Sequence, residues 1–380
     1  MPKLKFVIVA IIFMLLMKIR NKRLNHRWIW LVALALVIII IKVFSANSQW
    51  VEALYATDIY PAFSSFLRII VGWLPFSVGD ILYLLVIVWV IWKLWRFSAK
   101  LFRRKLGRKW FANTGYKLVI IGMLVYIIFN IFWGINYNRK LISLQLNLNL
   151  NKTTTADLKI IERLLVIKVN ESKQALVNQH AYYPTNKELF KRAAECYRQA
   201  EKLYPFLSYK HRSVKRSMFG LWGNYLGFTG YYNPFTGEAQ MNTRVPKFIL
   251  PYVTTHEIAH QLGYAKEEEA NFAGYLAATS STDTLFHYSA YLDLFVYANR
   301  QLFFRDSVAA KDFAKQLLPE VKADIIEWRE FLRKHKNPLE PVVRWAYGNY
   351  LRANQQPKGI TSYDEVIADL IAFYKKYGRI

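Results

Sequence analysis

The chain has 380 residues, 54% of them hydrophobic, and its 52 Lys and Arg against 26 Asp and Glu give a formal net charge of +26. This combination excludes both an ordinary water-soluble domain and a bundle made only of membrane helices. Nucleic-acid binding is not expected from the charge, because much of the basic excess lies in short loops beside apolar segments. Cys196 is the only cysteine, so an internal disulfide cannot form and stability must come from core burial.

Three apolar segments are long enough to cross a bilayer, namely residues 28–46, 76–95 and 118–137. A fourth apolar segment, residues 6–17, is short for a span and resembles the core of a signal sequence, but no small-residue cleavage site follows it. We interpret this segment as a weak or interfacial membrane segment. Residues 1–137 are therefore predicted to form a transmembrane region.

The loops between these segments differ in charge. Residues 18–27 contain five Lys or Arg and residues 93–117 contain nine, and neither stretch contains an acid. Residues 47–80 contain one Arg and three acids. Because basic loops stay in the cytoplasm, this pattern predicts a multi-pass protein of the cytoplasmic membrane whose residues 138–380 form an extracytoplasmic domain.

The extracytoplasmic domain is predicted to be mainly α-helical after a linker at residues 146–155. The exception is the glycine- and aromatic-rich stretch 219–242, where turn signals indicate short strands, a small hairpin region before the motif described next. Its aromatic side chains could border a peptide-binding strand or simply pack in a core. Helical spacing of apolar residues predicts helices over residues 156–179, 187–204, 284–304, 311–334 and 363–377.

The most specific pattern in the chain is His256-Glu257-Ile258-Ala259-His260. Two His four residues apart on a helix project from the same face, so both imidazoles can bind one metal ion, and the intervening Glu257 lies where a general base is needed. Thr254 and Thr255 precede the motif as possible helix caps. Gly263 is expected to end the helix, so that the chain folds back.

A second helix is predicted over residues 266–279, and its acidic start can supply a third metal ligand. Glu267 is our first choice, because it shares a helical face with small residues that permit close approach to the His-bearing helix. Glu269 is the alternative. Asn271, one turn after Glu267, is a candidate to hydrogen-bond one of the metal ligands without binding the metal itself. Two imidazoles and one carboxylate favour Zn²⁺ and leave a fourth position open, which is typical of a catalytic site.

The chain resembles a family of uncharacterised bacterial membrane proteins described by a domain of unknown function. The resemblance rests on Gly72 to Asp80 (GWLPFSVGD), Gly227 to Glu238 (GFTGYYNPFTGE) and His256 to Asn271, and extends over nearly the whole chain after about residue 28, with Ser362-Tyr363 near its end. It implies a zinc metallopeptidase-like domain of the gluzincin type, whose third ligand is a Glu on the next helix. Glu-x-x-Ala-Asn at 267–271 is similar to the Glu-x-x-Ala-Asp of membrane-bound gluzincin proteases, which supports Glu267.

Together these patterns predict N-terminal transmembrane helices followed by an α+β gluzincin-like domain. The expected function is zinc-dependent hydrolysis of peptides or proteins outside the bacterial cytoplasmic membrane, with Glu257 as the base. Proteolysis within the bilayer is less favoured, because the residues around the motif are polar. The alternative from another class is a non-catalytic zinc-binding envelope domain that binds a peptide or protein partner. We expect His180, His211, His287 and His335 to have surface or core roles.

Overall fold

The computed structural model describes residues 26–103, 107–150 and 153–380. The apolar segment 6–17 lies outside the described residues, and so does part of each basic loop. In the described part of the chain, helices predominate and the only sheet has three short strands, which confirms the prediction of a mainly α-helical protein.

Three helices are long and apolar enough to cross a membrane, which supports membrane association. They are α1 (His26–Ser45), α3 (Val78–Phe102) and α4 (Arg108–Phe132). Between α1 and α3 the chain is also helical, with a short helix Ser48–Trp50, a π-helical stretch Val51–Ile59 and α2 (Tyr60–Val71). Helix α4 begins earlier than residue 118 and ends before Trp133, so residues 133–137 are not part of the third apolar helix.

The chain folds as two compact units. One contains the described residues up to Asn47 and the described residues between Trp92 and Ile131, and inside it Lys42 lies over the ring of Tyr126. The other contains Ser48–Ile91 and Phe132–Ile380. The boundary at residue 137 between a transmembrane region and an extracytoplasmic domain stays a prediction. Helix α2 and the start of α3 pack in the same unit as the His-bearing motif.

The second unit is built from helices joined by short connections. After 3-10 turns and a short helix Ile142–Gln145, its helices are α5 (Thr155–Asn178), α6 (Asn186–Ala200), α7 (Gly220–Leu226), α8 (Leu250–Gln261), α9 (Glu267–Ser280), α10 (Thr284–Arg305), α11 (Ser307–Lys315), α12 (Pro319–His335), α13 (Glu340–Ala353) and α14 (Val366–Tyr377). A single helix was predicted over residues 311–334, but Pro319 begins a new helix there, as expected of a residue without a backbone N–H. Helices α7 and α13 were not predicted.

The core of this unit lies between α5 and α10 and continues to α8 and α9. Thr154 and Asp157 form a capping box that fixes the start of α5. Leu158, Ile161 and Leu165 then follow at helical spacing and are fully buried. Burial of a Leu or Ile side chain contributes about 1.5–3 kcal/mol, so this apolar face anchors α5 against the rest of the unit.

The sheet lies beside α8 and contains β1 (Val214–Arg216), β2 (Gly230–Asn233) and β3 (Glu238–Met241). Its order is β1-β3-β2, with β1 parallel and β2 antiparallel to β3. Gln261, the last residue of α8, donates to the carbonyls of Ser213 and Gly237 at 2.9 and 2.7 Å. These bonds fix the end of α8 against the sheet, and β2 is left as an edge strand.

Candidate metal centre

Helix α8 carries the His-Glu-x-x-His motif and begins earlier than the sequence suggested. Its first residues are Leu250 and Pro251, so Thr254 and Thr255 lie inside the helix and the prediction that they cap it is wrong. The hydroxyl of Thr254 instead donates to the Leu250 carbonyl at 2.7 Å, and that of Thr255 donates to the Tyr252 carbonyl at 2.9 Å. Back-bonding of this kind lets Thr sit in a helix interior.

The end of α8 is a left-handed turn at Gly263, as the sequence indicated. Gly263 has φ +88°, and its N–H donates to the carbonyl of His260 while Tyr264 N–H donates to that of Ala259. These two bonds form a Schellman motif. A Cβ at Gly263 would lie 2.9 Å from the ring of Tyr60, so both the backbone angle and the packing require glycine here.

Cationic and hydroxyl groups cover the last carbonyls of α8. Tyr60 on α2 donates to the carbonyl of residue 260 at 3.3 Å, Arg68 on α2 donates to that of residue 261 at 3.1 Å, and Arg139 donates to that of residue 262 at 3.2 Å. Positive charge is favourable at a helix C-terminus. The segment between the first two candidate spans therefore holds the helix that carries the motif.

Helix α9 packs closely against α8 through a small residue. A Cβ on Gly274 would lie 3.0 Å from the backbone N of His256 and 3.2 Å from its Cα. This close approach between the two helices is the one expected from the small-residue face of α9. It brings Glu267, at the start of α9, over the two His side chains.

Nε2 of His256 and Nε2 of His260 lie 3.3 and 3.6 Å from Oε2 of Glu267. The three donor atoms all lie within 4.8 Å of one another, and all three side chains are buried. Ligand atoms at 2.0–2.2 Å from a tetrahedral zinc ion lie about 3.3–3.6 Å apart, so the two measured distances to Glu267 fit such an ion. The donor set of two imidazoles and one carboxylate also fits zinc.

Both imidazoles have their Nδ1 atoms engaged away from the donor cluster. Nδ1 of His260 lies 2.7 Å from the carbonyl of Tyr264, and a carbonyl can only accept, so Nδ1 carries the proton. Nδ1 of His256 lies 2.7 Å from Oδ1 of Asn271, whose Nδ2 donates to the Tyr363 carbonyl. In the neutral rings each Nε2 then presents its lone pair to the cluster, as metal binding requires. Asn271 occupies the supporting place considered from the sequence.

The short distances between Glu267 and the two His side chains shift the pKa values of the cluster. Burial alone lowers the pKa of His260, but the contact with Glu267 and its charge raise that pKa to about 9. Burial alone raises the pKa of Glu267, but the contacts with His256 and His260 outweigh it and hold the pKa well below its usual range. The Glu267 carboxylate is thus stabilised by its contacts with the two His side chains, and a divalent cation held by the same three donors would stabilise it further.

Glu257 lies beside the cluster and is 4% exposed. Burial raises the pKa of its carboxyl, His256 and His260 lower it, and Glu267 raises it further, with a net upward shift. Within the described residues, Oε2 of Glu257 has no hydrogen-bond partner. A Cβ on Gly230 of β2 would lie only 2.6 Å from Oε1 of Glu257, so the edge strand runs directly against this carboxylate.

Two other acids bond backbone groups away from the three clustered donors. Glu269, the alternative third ligand, accepts a 2.7 Å hydrogen bond from the backbone N–H of Ile142 and is not one of the three clustered donors. Glu238 accepts from the backbone N–H groups of residues 78 and 79 at the start of α3. Asn242 donates to Asn224 and to the Phe228 carbonyl.

Two of the other histidines bond groups outside the cluster. The ring of His287 bonds the Ser281 carbonyl, and that of His335 bonds the Phe331 carbonyl.

Three aromatic residues that border the cluster were not assigned to it from the sequence. The hydroxyl of Tyr347 on α13 donates to Oε1 of Glu267 at 2.7 Å. Tyr363 stacks on His256 with ring centroids 6.2 Å apart, and Trp133 meets His260 edge-on at 5.9 Å. Sequence spacing gives no sign that Tyr347 would reach Glu267 from 80 residues away, and Trp133 lies within a segment interpreted as a span.

Comparison with known proteins identifies the family. The family described as "Protein of unknown function (DUF3810)" matches residues 55–371 of the chain, which includes α2, the sheet, the three clustered donor residues and α13. The chain belongs to this family, which confirms the resemblance at the level of an uncharacterised family. Among curated proteins and among solved structures, no match was found.

Proposed function

We propose that the protein is a membrane-anchored zinc metallopeptidase of the gluzincin type. The observation that carries the proposal is the placement of Glu257 beside a three-donor cluster of His256, His260 and Glu267, with one carboxylate oxygen unpartnered among the described residues. A structural zinc site needs four protein ligands and no adjacent base, whereas a hydrolytic site needs three ligands and a base.

Each residue has a distinct task in this proposal. Zinc bound at the site would act as a Lewis acid toward a carbonyl and lower the pKa of a coordinated water to about 7. Glu257 takes a proton from the attacking water and returns it to the leaving amine. Asn271 and the Tyr264 carbonyl hold the imidazole rings in the tautomer that binds metal, and Tyr347 holds the carboxylate of Glu267.

The edge strand β2 supports a peptide as the substrate. An extended peptide can add to an exposed sheet edge through backbone hydrogen bonds. Strand β2 lies at the edge of the sheet and is half-buried from Gly230 to Tyr232, and its first residue, Gly230, lies against the Glu257 carboxylate. A peptide paired with β2 would pass the base within a few residues of the strand end.

The charge of the loops supports a site outside the cytoplasm of a bacterial cell. Residues 93–117, between α3 and α4, contain nine basic residues and no acid, which favours the cytoplasmic side for that loop. The end of α4 then leads the chain to the outer face. A reporter that is active only outside the cytoplasm, fused after Ile380, tests this topology: activity supports it and a silent fusion contradicts it.

A non-catalytic zinc-binding domain is the second candidate. The side chains of the cluster and of Glu257 are all buried, at 4–8% exposure, and this favours a site closed to large ligands. In that case zinc would stabilise the contact between α8 and α9, and a peptide or protein would bind on the outer surface without being cleaved.

The two candidates make different predictions for zinc-loaded protein and a peptide library. Metal analysis of the full chain in detergent is expected to give about one zinc per chain, lost in His260→Ala but retained in His287→Ala, whose ring lies outside the cluster. Library cleavage that is abolished by a chelator and restored by zinc supports the peptidase. Zinc binding without cleavage supports the second candidate, and zinc binding that survives His260→Ala contradicts both.

A further inference from the structure

Helix α2 and the residues that follow it have an apolar outer surface. From residue 59 to residue 76 the only charged side chain is that of Arg68, and it is buried, at 3% exposure. The exposed side chains of this stretch are all apolar, and six of them are large, with exposures from 45% to 76%. They are Ile59, Phe66, Ile69, Ile70, Trp73 and Phe76, which we call the outer face of α2.

The opposite side of α2 is polar and faces the protein. Tyr60, Ser64 and Arg68 are buried, and all three donate to the C-terminal carbonyls of α8. A surface helix in water normally turns its apolar stripe inward and its polar residues outward. In α2 this arrangement is reversed, and a contiguous apolar surface of this kind marks contact with something other than water.

Chain connectivity indicates what covers the outer face. The helical stretch that leads into α2 begins at Ser48, shortly after candidate span α1 ends at Ser45. Candidate span α3 begins at Val78, shortly after Trp73 and Phe76. A segment tied at both ends to membrane-spanning helices starts and finishes at the bilayer boundary. A Trp such as Trp73 just before a span is typical of that boundary.

We propose that α2 is an interfacial helix whose outer face is inserted into the headgroup and acyl-chain boundary of the lipid bilayer. Such helices lie in the membrane plane with their apolar face buried about 5–10 Å deep. A lipid surface fits the face better than a folded partner does, because the exposed side chains carry no charge to fix the register of a protein interface. The proposal concerns membrane contact and holds whether or not the cluster hydrolyses peptides.

The bonds between α2 and α8 give this contact a consequence for the site. The same helix that carries the outer face holds the last carbonyls of the His-bearing helix through Tyr60, Ser64 and Arg68. The donor cluster of His256, His260 and Glu267 therefore lies at the membrane surface, close to the lipid headgroups. Ligands that reach it would be segments of polypeptide that lie next to the bilayer.

Lipid exposure can be measured by labelling single cysteines in the full chain. Cys196 is buried, so the wild-type chain serves as the blank. Phe66→Cys, Ile70→Cys and Trp73→Cys place a fluorescent label on the outer face, and Tyr182→Cys and Val308→Cys place it on exposed positions elsewhere, at 74% and 69% exposure. The variants are reconstituted in phosphatidylcholine–phosphatidylglycerol vesicles with nitroxide-bearing acyl chains.

The expected result is quenching at positions 66, 70 and 73 at least about threefold stronger than at 182 and 308, because a nitroxide on an acyl chain reaches groups that contact the acyl chains and does not reach groups in water. Equal quenching at all five positions would overturn the proposal. So would cysteines on the outer face that form disulfide cross-links between copies when unlabelled and oxidised, and whose labels are shielded from lipid, a result that assigns the face to a second chain. Ile69→Cys replaces any variant that does not fold. The readout needs neither zinc nor substrate, so it is independent of peptidase activity.

Discussion

Gly230 gives the sharpest test of how Glu257 is positioned. In Gly230→Ala, the new Cβ would lie 2.6 Å from Oε1 of Glu257, 2.8 Å from its Cγ and 2.9 Å from its Cδ. Ordinary contacts begin near 3.4 Å, so the carboxylate must move by about 0.8 Å or β2 must recede by a similar distance. A misplacement of about 1 Å in a catalytic group can cost about 100-fold in rate.

We therefore expect Gly230→Ala to lower the rate of peptide hydrolysis by about 10- to 100-fold, with zinc content unchanged. Rates are measured on a peptide that the wild-type chain cleaves, and zinc by elemental analysis of the same samples. Gly122→Ala is the matched control, because a Cβ there meets nothing within 4 Å. A full rate in Gly230→Ala would refute the argument that the edge strand sets the position of the Glu257 carboxylate, and a loss of zinc would show that the cluster itself was disturbed.

Three further predictions concern the ligands and the core. Removing the hydroxyl that holds Glu267, in Tyr347→Phe, is expected to weaken zinc binding by about 10- to 100-fold in a chelator competition. Asn271→Ala should have an effect of similar size through His256, whereas Asn271→Asp should retain affinity because it keeps the acceptor. Burial, partly offset by an Asn299 hydrogen bond, raises the pKa of Glu162 from 4.5 to about 8. The folded state then holds a proton that the unfolded state has lost, so stability should fall by up to about 1.4 kcal/mol per pH unit between those values, a fall that Glu162→Gln should remove.

Each of these predictions has a control and a contradicting result. Tyr350→Phe removes a hydroxyl that bonds Tyr137 instead of Glu267, and an equal loss of zinc affinity there would mean that the effect of Tyr347→Phe is not local. Equal zinc affinities for Asn271→Ala and the wild-type chain would show that His256 does not need its hydrogen bond to Asn271 in order to bind zinc. For Glu162, thermal unfolding in detergent is followed from about pH 5 to about pH 8, and parallel curves for wild type and Glu162→Gln would contradict a protonated buried carboxyl.

The close grouping of His256, His260 and Glu267 could be predicted from the sequence because its determinants are local. His256, His260 and Glu267 lie within twelve residues, and helix periodicity with one turn at Gly263 is enough to bring them together. The sequence left Glu267 and Glu269 as alternatives, and the difference between them depends on Ile142, whose N–H bonds Glu269 from a distant segment. The roles of Tyr347 and Trp133 likewise depend on tertiary packing alone.

The orientation of α2, between the first two candidate spans, could not be predicted, for a different reason. The spacing of apolar residues identifies an apolar helix face but does not show whether that face contacts the protein core or the lipid. The sequence analysis used residues 47–80 only for their charge. In the structure, Arg68 and Ser64 face inward to satisfy carbonyls of α8, and the apolar residues face outward. Thr254 and Thr255 show a similar limit, because a residue that favours a helix cap can also sit inside a helix when its hydroxyl bonds a preceding carbonyl.

Comparison of Glu257→Gln with the wild-type chain tests the central claim most directly. The substitution keeps the size of the side chain and removes its ability to accept the proton of the attacking water. With both proteins carrying the same amount of zinc, we predict that Glu257→Gln cleaves peptides at least about 100-fold more slowly than wild type. Equal rates at equal zinc content would contradict the assignment of Glu257 as the base, and with it the account of this cluster as a hydrolytic centre.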